Sequence, residues 1–117
     1  MIALLYMLMA CDPAISYEQE VAPIVSTRCV GCHNAELTEG ELDLTPDPYV
    51  ALVDQPSRQS ELLLVEPGDA LYSYVFHKVN GSQSLAEGAG TQMPLGSALS
   101  SEDIDLLAAW IDQGAAP

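Results

Sequence analysis

The chain has 117 residues, 17 acids against 3 bases, and a formal charge of −14. One domain fits that length and two ordinary ones do not, and three cations cannot serve a nucleic-acid binder or a polybasic membrane-surface module. Apolar residues make up 49%, too many for a disordered acidic tail, yet there is one Phe and one Trp, so a bound apolar cofactor is the first candidate to complete the core.

Residues 1–10 are uncharged and almost wholly apolar. The run is too short to span a bilayer and has the length of the apolar part of an export signal. Leu8-Met9-Ala10-Cys11 resembles the lipobox of bacterial lipoproteins, in which the Cys becomes the lipidated first residue. No Lys or Arg precedes the run, and Met at the third lipobox position is unusual. On this reading residues 1–10 are a lipoprotein-type signal peptide, and residues 12–117 form one domain held by lipid on Cys11. The domain would sit on the periplasmic side of a bacterial membrane, an oxidising compartment where every Cys needs an assignment.

Ser16 to Cys29 reads as the first helix, with Tyr17, Val21, Ile24, Val25 and Arg28 at helical spacing. Pro23 fits if regular helix begins near Ala22, with the proline in its first turn. Cys29-Val30-Gly31-Cys32-His33 follows. This Cys-x-x-Cys-His run is the attachment signature of a c-type haem. Two thiols at this spacing reach the two vinyl groups of one porphyrin, and the adjoining His33 lies beneath the iron as proximal ligand. Gly31 allows a tight turn between the anchors.

Residues 34–48 read as loop, with Leu42 and Leu44 pressing on the haem edge. Tyr49 to Val53 forms one or two helical turns, and Leu62 to Val65 is an apolar run of undetermined type. Pro67-Gly68-Asp69 is a turn, with Asp69 as N-cap of a helix over 69–79. At about 100° per residue, Leu71, Tyr72, Val75, Phe76 and Val79 share one face of that helix. His77, the rival axial ligand, points the opposite way with Ser73, as a solvated surface residue.

Residues 80–99 form a Gly- and Ser-rich distal loop. It contains Met93, the one Met beyond residue 10, in Gln92-Met93-Pro94-Leu95-Gly96. A thioether is the usual sixth ligand of an electron-transfer c haem, and Met93 lies 60 positions after His33, enough chain to pass from one haem face to the other. The last helix is capped by Ser100, has Asp103 in the capping-box position, and carries the stripe Ile104, Leu107, Ala108 and Ile111 beside Trp110. Gly114 ends it. There is no repeat and no convincing strand ladder, so the fold class is all-α, with three main helices and long loops around one porphyrin.

Other uses of this motif fit less well. A thioredoxin-like pair follows a strand, whereas helix precedes Cys29. A zinc set would need Cys29, Cys32, His33 and the distant His77. A plain disulfide leaves His33 without a role.

These residues together resemble the single-haem, class I-like cytochrome c domains, in particular the short bacterial ones of planctomycete type. The matching elements run in order through Val21–Val25, Arg28–Asn34, Gly40–Leu44, Glu66–Asp69 with Leu71-Tyr72, Met93-Pro94, Leu99-Ser100 and Ala109–Ala115. Leu95 stands where such domains often have a second Pro, and Glu41 where they often have Gly. The resemblance implies a cytochrome c-like fold and covalent haem c at Cys29 and Cys32. It also implies proximal His33, distal Met93, and first and last helices crossing near the haem.

The expected function is one-electron transfer by a monomeric, membrane-tethered carrier, not an enzyme. Its partners would be redox proteins, with a basic docking face to match the −14 charge. The alternative is a haem protein with an open or labile distal site for gas or peroxide chemistry. Of the three cations that could offset haem propionates, Arg28 is favoured by proximity to the motif.

Overall fold

A computed structural model describes residues 13–117. The expected signal at 1–10 and the lipidation site Cys11 lie outside the described residues. Among those residues the regular structure is helical, without a sheet, and no helix is long and apolar enough to cross a membrane.

The first helix begins as the proline requires. A wide π-type turn, Tyr17–Val21, is capped by Ser16 and leads into α1, Ala22–Arg28, with Pro23 in its first turn. Pro23 has no N–H to donate, and position N1–N2 asks for none. A 3-10 turn at Glu39–Glu41 interrupts the following loop. Helix α2, Pro48–Leu52, is again proline-started, and Asp47 accepts from Val50 N. The last helix, α4, Ser101–Asp112, starts where Ser100 Oγ accepts from Asp103 N at 3.1 Å.

The segment 69–80 departs from the single helix expected. A 3-10 turn, Ala70–Tyr72, capped by Asp69, gives way at extended Ser73 to a separate helix α3, Tyr74–Asn80. The cause is local competition for hydrogen bonds. Ser73 Oγ, fully buried, donates to Asp69 O (2.8 Å) and accepts from Glu66 N (2.8 Å). Tyr74 N and Val75 N, the first donors of α3, go to Leu63 O (2.9 Å) and Leu64 O (3.0 Å). The apolar run 62–65 is therefore a bent, non-helical segment that meets the start of α3.

The break changes the phase of the helix, which overturns the expected faces. Leu71 and Tyr72 are 68% and 61% exposed and Tyr74 is buried instead, while Val79, of the expected face, is buried as well. His77 is 7% exposed, not solvated. Its ring nitrogens lie 2.8 Å from Ser82 Oγ and 2.7 Å from Leu71 O.

The core joins the two ends of the described chain. Tyr17, Tyr49 and Trp110 form an aromatic trio with ring centroids 5.4 to 6.4 Å apart. Such pairs contribute about 0.5–1.5 kcal/mol each beyond area burial. The trio supplies bulk that a single Phe cannot. Val21, Val25, Leu107 and Ile111 pack with it. Tyr17 N donates to Ala116 O (3.1 Å), Trp110 Nε1 to the same carbonyl (2.8 Å), and Ser16 Oγ to Pro117 O (2.9 Å). Leu44, expected at a haem edge, is 2% exposed and belongs to this core.

Candidate cofactor site

The Cys-x-x-Cys-His run is the turn that ends α1. Cys29 N and Val30 N still donate to Val25 O, and Cys29 O then accepts from Cys32 N (3.2 Å) and His33 N (3.1 Å). Asn34 holds the turn from its far side. Its Nδ2 donates to Val30 O (2.8 Å), and its Oδ1 accepts from Glu36 N (3.0 Å) and Leu37 N (2.9 Å). This is an Asx turn, a signal present in the sequence but easily passed over beside the cysteines.

Both thiols are free, Cys29 half-buried and Cys32 exposed. Burial pushes the Cys29 thiol above its ordinary pKa, and Arg28 beside it offsets part of that shift. The structure pairs no disulfide between them. Among the described residues no three His, Cys, Asp or Glu side chains gather as a metal set, so the zinc arrangement is not assembled.

His33 borders a cleft of about 600 Å³, and Met93 borders the same cleft. Leu42, Ala51, Leu64 and Val75 supply apolar wall. The volume lies within the roughly 300–1,000 Å³ of small-molecule and cofactor sites. Cys29 and Cys32 are not part of the wall; they sit on the adjoining turn. His33 Nδ1 is buried and has no hydrogen-bond partner, a condition that costs about 1–3 kcal/mol unless something satisfies it. His77 lies outside this cleft, with both ring nitrogens engaged.

Met93 is delivered by a loop pinned to α3. Met93 N donates to Lys78 O (2.9 Å) and Gln92 Nε2 to Val79 O (2.9 Å). Ala89 O accepts from both Lys78 Nζ (2.7 Å) and Tyr74 OH (3.3 Å). Both groups also lie 3.1 Å from Gln59 Oε1, the single Tyr74 hydroxyl proton being shared between Ala89 O and Gln59 Oε1. Gly88 makes this approach possible, since a Cβ there would lie 2.3 Å from Tyr74 OH. Farther along the loop, Ser97 O accepts from the guanidinium of Arg28, which links the loop to the residue before Cys29. The sequence reading did not single out Tyr74 or Gln59, because their roles depend on which loop carbonyls face them.

No family model, curated protein or solved structure matches this chain.

Proposed function

We propose that this chain is a one-electron carrier with a cytochrome c-like fold, holding one covalently attached haem c with His33 and Met93 as axial ligands. The observation that carries the reading is convergence. Two soft or borderline iron ligands 60 positions apart border one cleft of about 600 Å³, part apolar and part charged, beside a turn with two free thiols at the attachment spacing. His33, whose Nδ1 is buried with no partner, and the thioether of Met93 both border the cleft that would hold the iron.

Cys29 and Cys32 would hold the haem through two thioethers, each S–H adding across one vinyl C=C so that no oxidant is needed. When bound, the haem would supply a ferric–ferrous couple. His33 and Met93 would hold the iron, and a thioether ligand favours a high potential. The Lys78–Tyr74–Ala89 contacts hold the Met93 loop in register. Cys11 carries lipid and keeps the domain on the periplasmic face, where the acidic surface meets a redox partner with a basic face.

The test is the visible spectrum of the protein from a host with c-haem maturation, oxidised and dithionite-reduced. Expected are the sharp reduced bands of a low-spin c haem and the far-red ferric Met–iron band, with no carbon monoxide binding to the reduced form. Carbon monoxide binding without the far-red band would replace the carrier reading by an open distal site. Absence of covalent haem would overturn the proposal.

A further inference from the structure

The chain has three cations among 17 acids, and two of the three, Arg58 and Lys78, border the cleft that contains His33 and Met93. Arg28, the cation favoured by nearness in sequence, does not border it and is committed to the Ser97 carbonyl. Withdrawing an ammonium from water is costly unless an anion or several acceptors compensate. Lys78 is half-buried, and its Nζ donates to two uncharged acceptors, Gln59 Oε1 (3.1 Å) and Ala89 O (2.7 Å). An ammonium has three N–H donors, so one remains. Burial lowers the Lys78 pKa from its ordinary 10.5, as desolvation of a charge requires. Gln59 accepts through Oε1 from both Tyr74 and Lys78, which leaves its NH₂ group as a donor. Arg58, its neighbour, is exposed and adds a planar fork of donors suited to a carboxylate.

The acids that border the same cleft come from one stretch, Glu39, Glu41 and Asp43. Asp43 is already engaged, accepting from Thr45 N (2.9 Å) and Thr45 Oγ1 (2.6 Å). The wall of the cleft therefore carries its negative charge on residues 39–43 and its positive charge on residues 58 and 78. A carboxylate entering the cleft is drawn to Arg58 and Lys78 and repelled by Glu39 and Glu41, although the two stretches come close where Gly40 faces the Gln59 amide.

We propose that Arg58, Gln59 and Lys78 form the carboxylate-binding edge of the cleft and take the two propionates of the haem. The inference rests on the haem-carrier reading and adds the orientation of the ligand. Its chemical basis is a dicarboxylate macrocycle set against the few cations of an acidic chain.

The test is the reduction potential of the haem-loaded protein as a function of pH, between about pH 5 and pH 8, for wild type, Arg58→Gln, Lys78→Gln and Arg28→Gln. Covalent haem is first verified in each by its pyridine haemochrome. A nearby cation holds a carboxylate ionised at lower pH, and an ionised carboxylate favours ferric iron. Removing Arg58 or Lys78 should therefore move the fall of potential to higher pH and steepen it within this range. The neutral-pH potential should also decrease. Arg28→Gln cuts the tie to Ser97, so its potential can shift as a whole, but the shape of its pH dependence should follow wild type. His33, Tyr74, Glu39, Glu41 and Asp43 border the cleft in every variant, so the differences report the two cations. Arg58, exposed and outside the Met93 clamp, keeps the test open if Lys78→Gln folds poorly. Profiles of Arg58→Gln and of folded Lys78→Gln that match Arg28→Gln, with haem attached, would overturn this inference and leave the carrier reading standing. A wild-type chain without covalent haem would overturn both.

Discussion

Tyr17 shows how a single group can oppose the packing that contains it. Its ring completes the aromatic trio with Tyr49 and Trp110, but its hydroxyl is buried with no hydrogen-bond partner. Burial, with Asp47 and Cys29 nearby, pushes its pKa up to about 12 from 10.0. The neutral phenol is thus favoured in the folded state, and between pH 10 and about 12 the unfolded chain gives up the proton first. The Tyr17 contribution is fully present below pH 10 and is lost as pH rises toward 12. Tyr17→Phe keeps the ring and removes the orphan, so it should stabilise the neutral protein by about 1 kcal/mol and flatten the alkaline loss. Denaturant unfolding at neutral and alkaline pH measures both. Loss of stability at neutral pH would mean that the hydroxyl has a partner. Met93 is the corresponding residue of the cleft. On the haem reading, Met93→Ala should leave the haem attached, lower the potential by on the order of 0.1 V, and let the reduced iron bind carbon monoxide. An unchanged potential in voltammetry would remove Met93 from the ligand set.

Among the elements, legibility followed the strength of local signals. Pro23 marked where regular helix starts, Ser100 capped α4, and Asp69 capped a turn, each by chemistry confined to a few residues. The break at Ser73 escaped because the apolar periodicity runs on through it, and the competing partners, Glu66, Leu63 and Leu64, come from a segment whose form periodicity could not decide. With the break went the burial of His77. The cleft was legible as far as His33 and Met93, both of which border it, and not as far as Gln59, Tyr74 and Lys78, whose contacts exist only once α3 and the distal loop meet. That junction yields its own prediction. Gly88→Ala forces a methyl against Tyr74 OH, so it should destabilise the fold by about 1–3 kcal/mol and weaken the far-red Met–iron band. Melting followed by circular dichroism, together with the ferric spectrum, checks it. An unaltered band would show that the Met93 loop does not depend on this contact.

For the whole molecule, charge is the dominant feature. A net −14 repels acidic neighbours, and the two cleft cations are too few to change that field at a distance. On the carrier reading, association with a basic redox partner should therefore slow by about tenfold or more as ionic strength rises from about 0.01 to 0.15 M, where the screening length contracts from about 30 to 8 Å. Stopped-flow electron transfer with a basic acceptor protein measures this, and a rate indifferent to salt would assign the acidity to solubility alone.

The hydrogen bonds between residues 13–17 and 113–117 also have a meaning in time. A ribosome makes the chain from one end, so the first segment waits about a hundred residues for the partner that covers it. Until Trp110 and Ala116 emerge, Tyr17 has Tyr49 to pack against but lacks the indole and the carbonyl that complete its cover, and the turn at Cys29–His33 has no finished core behind it. The Cys29–His33 turn is thus made early and its support arrives last. On the haem reading, such an order would give an attachment apparatus its longest access to the thiols before the fold shuts.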